Sequence, residues 1–185
     1  PTLPRRVTVL GIDDTDSRTA GMCSTYLAAL VAEALEDAGA AVHRRLLVRL
    51  NPAVEHKTRG NAALALHTDA DAEEALSLAS DLIESYAVGD DPRTSPGVVV
   101  ADHASDEVPT AVADFARDAV REFHDLDDAL ALADDAGFAH RGWGPDAQEC
   151  SADCDTAADD GVGRGRIGAL AAVGAWRAFD DWTYE

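Results

Sequence analysis

Alternating apolar positions and apolar positions at helical spacing divide the first half of the chain into a regular series of elements. Strands are predicted where apolar and β-branched residues alternate, at residues 7–12, 42–50, 62–67 and 98–101. Helices are predicted over residues 22–38 and 71–87, where apolar residues recur along one helical face. The order β-α-β-β-α-β is typical of an α+β, ferredoxin-like core. Such a core has a largely antiparallel four-stranded sheet with helices on one face.

The second half of the chain has a different pattern. Two further helices are predicted over residues 110–123 and 126–136, and the segment "IGALAAVGAW" predicts a last helix that packs through small residues. Between the helix at residues 126–136 and the last helix lies an acidic, polar stretch without periodicity, at about residues 141–162. We interpret it as an insertion or loop. We therefore predict one domain over residues 1–185, with a core at 7–101 and a mostly helical extension at 109–178.

The composition of the chain indicates a protein adapted to high salt. The chain has 185 residues and a net charge of −20, with 25 Asp against 10 Glu and a single lysine, Lys57. An acidic, Asp-rich and nearly lysine-free surface is typical of a protein from a halophilic archaeon. At molar salt the Debye length is about 3 Å, so the acidity does not exclude an RNA partner. No signal peptide or membrane-spanning run is visible, which predicts a soluble, cytoplasmic protein. Three cysteines do not make a disulfide framework.

The first candidate for chemistry is a cluster of carboxylates in "GIDDTDS". Asp13, Asp14 and Asp16 follow the first predicted strand and precede a helix. Ligand sites often lie at strand ends, and carboxylates together with phosphates are the usual ligands of Mg²⁺. A turn or helix cap is the structural alternative, but a cap needs only one such residue. The cluster therefore favours a magnesium site.

The next segment, "GMCST", predicts a helix start that could bind an anion. Free N–H groups beginning near Gly21 would face a phosphate, and the hydroxyls of Ser24 and Thr25 could donate to a phosphate or accept one. Simple helix capping is an equally good interpretation of this segment alone.

Basic and glycine-containing segments supply candidate phosphate ligands. Lysine offers a point charge and arginine a bidentate fork, so a Lys-x-Arg loop can hold a phosphate. A solvated basic turn is the alternative. The second segment, at residues 163–165, has glycines that let the backbone approach a ligand closely. The candidates are Asn51, Lys57, Thr58, Arg59, Gly60 and Asn61 in the first segment, and Gly163, Arg164 and Gly165 in the second.

Four segments together resemble a known family. "GIDDTDS…GMCSTYL", "VRLNPAVEHKTRGNAALAL", "DDPRTSPGVVV" and "GRGRIGALAAVGA" are similar, in this order, to the amino-terminal kinase-like domain of the archaeal isoleucine-tRNA 2-agmatinylcytidine synthetases (TiaS). The resemblance implies a ligase that uses ATP and Mg²⁺. In that family the C2 oxygen of the wobble cytidine of the CAU-anticodon isoleucine tRNA is activated by phosphorylation, and agmatine then replaces it.

The resemblance also implies roles for particular residues. Asp13, Asp14 and Asp16 would hold Mg²⁺ and the triphosphate, and Lys57 with Arg59, Gly60 and Asn61 would contribute to the nucleotide site. A threonine that is autophosphorylated in the family corresponds to Ser24, with Thr25 beside it, so the modified hydroxyl stays open. Full members continue into tRNA-grasping domains, which suggests that this chain is a fragment of a longer protein. A non-catalytic nucleic-acid-binding module and a regulatory domain that binds a small molecule are the alternatives.

Overall fold

The computed structural model describes residues 7–55, 57, 60–102, 107–144 and 162–179. Its elements, in chain order, are β1 (Thr8–Asp13), α1 (Ser24–Asp37), β2 (Val42–Arg49), β3 (Ala62–Thr68), α2 (Ala72–Tyr86), β4 (Gly97–Asp102), α3 (Thr110–Asp118), α4 (Leu126–Asp135), β5 (Ala139–Gly142) and α5 (Arg166–Phe179). The strands form one sheet of five in the order β2-β3-β1-β4-β5, and every neighbouring pair is antiparallel.

Helices cover both faces of this sheet because the central strands are apolar on both sides. In β1, Val9 belongs to the core beneath α3, α4 and α5, whereas Leu10 and Ile12 belong to the core beneath α1 and α2. In β4, Val99 and Val100 face the two cores in the same alternation. Successive side chains of a strand point to opposite faces, so a strand buried on both sides loses the apolar–polar alternation.

The predicted mixed α/β fold with a largely antiparallel sheet is confirmed, but the four-stranded, one-sided description is not. The first four strands lie in the order β2-β3-β1-β4, and β5 adds a fifth strand beside β4. Helix α5 lies on the second face, where it packs against β1 and β4. Strand β5 has the sequence AHRG, which carries no apolar run, so its pairing with β4 decides its structure.

Helix α5 lies unusually close to the sheet because glycines remove side chains from the contact. A Cβ atom on Gly11 of β1 would overlap the carbonyl oxygen of Ala169, and one on Gly97 of β4 would overlap the backbone nitrogen of Arg166. On the helix side, a Cβ on Gly168 would overlap the carboxylate of Asp13. These close approaches place the beginning of α5 at the carboxyl end of β1.

A buried histidine lies toward the other end of the same face. His67 of β3 is fully buried, and neither ring nitrogen has a hydrogen-bond partner among the described residues. Its ring lies 6.1 Å from that of Trp176, which in turn packs under the guanidinium of Arg44 at 3.8 Å. Burial, and then the positive charges of Arg44 and His43, lower the pKa of His67 to about 4.

In the described part of the chain, none of the helices has the length and apolar character needed to cross a membrane.

We expect Gly11→Ala to destabilise the protein by about 1–3 kcal/mol, because the added methyl group must push α5 away from β1. Urea unfolding in molar KCl would measure the free energy of unfolding. Gly89→Ala is the matched control, since a Cβ at Gly89 meets nothing within 4 Å. Equal stabilities of the two variants would contradict the proposed contact.

We expect the free energy of unfolding to fall as the pH is lowered because of His67. Its pKa is about 4 in the folded chain against 6.5 when unperturbed, so protonation favours the unfolded state below pH 6.5. The loss begins below pH 6.5 and is complete below pH 4, where it reaches about 3 kcal/mol. His67→Leu removes this dependence, so the stability of the variant relative to wild type should rise as pH falls. Parallel pH profiles in urea unfolding would show that His67 does not titrate this way.

Candidate functional site

One cleft of about 530 Å³ opens where β1 ends and α5 begins. Three parts of the chain form its walls: the end of β1 with the start of α5, the loop that follows β2, and the connection between α3 and α4. The residues that line the cleft include Asp13, Asp14, Leu50, Val54, Lys57, Gly60, Asn61, Glu122, Phe123, His124, Asp125, Leu126, Arg164, Gly165 and Ile167. Residues far apart in sequence therefore meet in one concave surface, which is the usual setting of a ligand site.

Asp13 is the last residue of β1 and lies against the first turn of α5. Its Oδ1 accepts a hydrogen bond from the backbone N–H of Asp14 at 2.7 Å. Burial raises the pKa of Asp13 well above its ordinary value, and the negative charges of Asp14 and Asp16 raise it further. The carboxylate therefore stands where its negative charge is poorly compensated, and a cation would stabilise it.

Asp14 turns the chain away from the sheet and forms a partly buried ion pair with Arg164. Its φ of 57° lies in the left-handed region, which aspartate tolerates better than most residues. Its Oδ2 accepts hydrogen bonds from Nη2 of Arg164 at 2.6 Å and from the N–H of Ser95 at 3.2 Å. Burial raises the pKa of Asp14, and the charge of Arg164 acts in the opposite direction.

Ser95 holds the glycine-rich segment before α5 in place. Its hydroxyl oxygen accepts from the N–H groups of Gly163 at 2.9 Å and Arg164 at 3.1 Å, and its carbonyl accepts from the N–H of Gly165 at 2.8 Å. Arg164 also donates to the carbonyl of Arg93 at 2.7 Å. Sequence reasoning missed Ser95, because a serine in a polar loop carries no signal of its own.

Asp16 and the residues after it lead away from the cleft wall. The carbonyl of Asp16 accepts a hydrogen bond from the hydroxyl of Thr94 at 2.8 Å, and the hydroxyl of Ser17 donates to Asp91. Asp16 is not among the residues that line the cleft. Among the described residues, no three or more His, Cys, Asp or Glu side chains are grouped so that they could hold a metal. The structure therefore brings two of the three aspartates, Asp13 and Asp14, to the cleft.

The two hydroxyls at the start of α1 have different surroundings. Ser24 is 8% exposed, and its oxygen accepts a hydrogen bond from the hydroxyl of the buried Thr15 at 3.0 Å. Thr25 is exposed, lies 2.8 Å from Sγ of Cys23, and lines a separate groove beside β2. Its hydrogen bond lowers the pKa of the Cys23 thiol. Neither hydroxyl lines the cleft, but Ser24 is hydrogen-bonded to Thr15, the residue next to Asp14.

The backbone around Gly21 makes the turn before α1. Gly21 has a φ of 89° and Met22 a φ of 64°, so both lie in the left-handed region. The carbonyl of Gly21 accepts from the N–H of Ser17 at 3.1 Å, and Gly21 does not line the cleft. The helix begins at Ser24 rather than at Met22, which places this turn, and not helical N–H groups, at Gly21.

The loop after β2 brings some of its predicted residues to the cleft. Lys57, Gly60 and Asn61 line it, and Nζ of Lys57 donates to the carbonyl of Pro52. Asn51 is buried and does not line the cleft. Thr58 and Arg59 lie outside the described residues, so their predicted roles stay predictions.

The wall between α3 and α4 was not predicted from the sequence. Phe123 is 68% exposed, while His124 packs its ring on that of Phe115 at a centroid distance of 4.3 Å. Glu122 and Asp125 flank these two rings. The tripeptide Phe-His-Asp at the end of a predicted helix was the available signal, but only the packing of α3 on the sheet turns it toward the cleft.

Comparison with known proteins gives the family. The model of the TiaS TCKD domain matches residues 9–70 and 66–144. An isoleucine-tRNA 2-agmatinylcytidine synthetase, TiaS, of Haloquadratum walsbyi is 54% identical over 180 residues, which cover 97% of this chain and 35% of that protein. The same enzyme of Methanosarcina mazei is 38% identical over 96% of this chain and 38% of its own length.

Solved structures agree with this assignment. A TiaS crystallised with its isoleucine tRNA and ATP aligns with a TM-score of 0.75 and 36% identity over 93% of this chain and 36% of its own. A TiaS complex with the same tRNA, AMPCPP and agmatine aligns with a TM-score of 0.72 and 34% identity, over 93% of this chain and 37% of its own. The chain spans little more than a third of the length of these relatives. Because the family model covers most of the described chain and the relatives match nearly all of it, the chain belongs to the TiaS TCKD domain family.

Proposed function

We propose that this chain is the ATP-using, kinase-like domain of an enzyme that joins agmatine to the wobble cytidine of an isoleucine tRNA. The observation that carries the proposal is the wall formed by Asp13, Asp14 and Arg164, which faces Lys57 in one cleft. Relatives named for this reaction match the chain almost throughout, and one of them was crystallised with the tRNA and ATP. The tRNA and agmatine would be bound by the whole protein.

The charges in the cleft suit a polyphosphate chain. Phosphoryl transfer needs positioning and neutralisation of phosphate charge more than covalent chemistry from the protein. Arg164 is held by Asp14 and by the carbonyl of Arg93, so its guanidinium is oriented before a ligand arrives. Lys57 would contribute a second positive charge from the opposite loop, with Gly60 and Asn61 beside it.

The residues at the end of β1 fit Mg²⁺. Mg²⁺ commonly binds through one or two carboxylates and completes its octahedron with water and phosphate oxygens. Asp13 and Asp14 are adjacent, line the cleft and have raised pKa values, so their charge is incompletely balanced. Bound there, Mg²⁺ would neutralise charge on the phosphates. Asp16 would add negative charge nearby, without lining the cleft.

Ser24 is the better of the two candidate phosphate acceptors. Its hydroxyl is hydrogen-bonded to Thr15, the neighbour of Asp14, whereas Thr25 lines the groove beside β2 with Ala28 and Leu47. The start of α1 would have to move to bring Ser24 to the phosphates. The turn at Gly21, with its left-handed backbone, lies next to this point.

We expect Lys57→Ala and Arg164→Gln each to weaken ATP binding about tenfold or more. A charge-assisted hydrogen bond contributes about 1.5–3 kcal/mol, and about 1.4 kcal/mol is tenfold in affinity. Calorimetric titration of ATP with and without Mg²⁺, in molar KCl, measures the change, and removal of Mg²⁺ should weaken binding to wild type.

Arg45→Gln is the control for these variants, because Arg45 pairs with Glu36 on the surface and does not line the cleft. If Lys57→Ala and Arg164→Gln, both folded by circular dichroism, bind ATP like Arg45→Gln, the nucleotide site is elsewhere. ATP-independent RNA binding in place of ATP binding would favour a non-catalytic module.

We expect wild type to acquire one phosphate group when it is incubated with ATP and Mg²⁺, as seen by intact mass spectrometry. Ser24→Ala should lose the modification and Thr25→Ala should keep it, because only Ser24 is linked to the cleft wall. Thr25→Ala serves as the matched control for the loss of a neighbouring hydroxyl. The reverse pattern would assign the modification to Thr25, and an unmodified wild type would exclude self-phosphorylation.

A further inference from the structure

The backbone that carries Arg164 is held from two sides. On one side, the hydroxyl of Ser95 accepts from the N–H groups of Gly163 and Arg164. On the other side lies Arg166, whose Nε donates to the carbonyl of Gly163 at 3.0 Å and whose Nη2 donates to the carbonyl of Val162 at 2.6 Å. The peptide bond that precedes Arg164 is therefore held at its N–H by Ser95 and at its C=O by Arg166.

Arg166 is itself oriented by a histidine of β5. Its Nη1 lies 3.3 Å from Nδ1 of His140. An arginine side chain can only donate hydrogen bonds, so Nδ1 must be the accepting, unprotonated ring nitrogen. The proton of the neutral ring is then on Nε2, which lies 3.1 Å from Oδ1 of Asp134 in α4 and can donate to it. Asp134 therefore favours the tautomer of His140 that accepts from Arg166.

Two glycines bring β5 directly against this segment. A Cβ atom on Gly142 of β5 would lie 2.6 Å from Cα of Gly163 and 2.8 Å from Nε of Arg166. Gly163 has a φ of 78°, in the left-handed region that glycine adopts without strain. Because no side chain separates the two segments, β5 packs the guanidinium of Arg166 against the carbonyls that it binds. The packing gives a role to a strand whose sequence has no apolar run.

The two arginines of "GRGR" have different partners. Nε, Nη1 and Nη2 of Arg166 all contact protein groups, and Arg166 does not line the cleft. Burial lowers the pKa of Arg166, and the negative charge of Asp134 opposes this effect. Arg164, by contrast, lines the cleft and donates to Asp14 at 2.6 Å. One arginine is therefore available to a ligand, and the other supports its backbone from behind.

The direction of the Arg164 side chain depends on this support. Its guanidinium reaches Asp14 and the carbonyl of Arg93 from a backbone that has glycine on both sides. Glycine leaves the backbone more conformational freedom than any other residue, so the segment needs external contacts to hold one conformation. A binding group that is already fixed loses less freedom when a ligand arrives, which increases affinity.

We propose that Arg166 and His140 are positioning residues for the nucleotide site: His140 orients Arg166, and Arg166 fixes the backbone from which Arg164 reaches the phosphates. This inference rests on the proposed nucleotide function and adds how the cleft is held ready for its ligand. Neither residue touches the nucleotide. Helix α4 and strand β5, which do not carry the phosphate ligands, contribute to the site through this support.

The test is whether Arg166 acts through Arg164. We expect Arg166→Leu to weaken binding of ATP with Mg²⁺ about three- to tenfold, and by no more than Arg164→Gln does, because a supporting residue cannot cost more affinity than the residue that it positions. In the Arg164→Gln background the same change should cost less than about twofold, since residues that act as a unit are not additive. Calorimetric titration in molar KCl measures the four affinities.

Substitutions of His140 give a second comparison in which α5 is unchanged. His140→Asn keeps an oxygen acceptor near the position of Nδ1 and should bind ATP like wild type, whereas His140→Leu removes the acceptor and should weaken binding as Arg166→Leu does. If Arg166→Leu does not fold, His140→Leu combined with Arg164→Gln completes the same cycle.

Arg117→Leu is the matched control. The Arg117 guanidinium also donates to a backbone carbonyl, that of Ala178 at 3.0 Å, but Arg117 does not line the cleft. This variant should lower the free energy of unfolding in urea without changing ATP affinity.

The outcomes separate this inference from the proposed function. If Arg166→Leu, folded by circular dichroism, leaves ATP affinity unchanged, or weakens it equally with and without Arg164, then Arg166 only stabilises the fold. The inference is then overturned, while the nucleotide site survives. Equal ATP affinities of His140→Asn and His140→Leu would likewise exclude the role of His140. If wild type does not bind ATP, the proposed function fails and the inference fails with it, because Arg164 then has no phosphate to bind.

Discussion

The direct contact of the start of α5 with the end of β1 and the beginning of β4 is the constraint on which the rest of the structure depends. Gly11 and Gly97 leave no side chain between sheet and helix, and Gly168 leaves none between the helix and Asp13. Close packing of this kind cannot accept an extra methyl group without moving a whole element. It joins a segment near the end of the described chain to a strand at its beginning.

This contact also creates the electrostatic character of the cleft. The N-terminal end of a helix carries a partial positive charge, which favours negative groups near it. Asp13 and Asp14 lie there, yet burial still raises the pKa of both. Arg164 compensates part of the charge through its pair with Asp14, and Ser95 fixes the backbone that carries Arg164. The site is thus polar and partly buried, and the negative charge of its carboxylates is incompletely neutralised. A metal ion bound together with phosphate would balance this charge.

Two of the predicted site residues, Asn51 and Asp16, make contacts in the structure other than those expected of a ligand. The sequence predicts Asn51 as a nucleotide ligand, and in the structure its side chain donates to the carbonyl of Arg121 in the α3–α4 connection. The sequence groups Asp16 with Asp13 and Asp14, but its carbonyl accepts a hydrogen bond from Thr94 and it does not line the cleft. Both stay connected to the cleft through the elements that they hold, and their predicted roles in ligand binding stay predictions.

The sequence by itself determined the local elements and the chemical inventory. Periodicity located β1 to β4 and α1 to α5 within a few residues, because apolar spacing follows directly from which face is buried, although α3 ends at Asp118, before the predicted end. Residue type and spacing in the sequence also identified Asp13, Asp14, Lys57 and Arg164 as candidate ligands. Only the tertiary structure decided the fifth strand, the helical layer on the second face and the Phe123 wall. Those features arise from pairing and packing between distant segments, and a short strand such as AHRG or an exposed ring carries no local periodicity that could announce them.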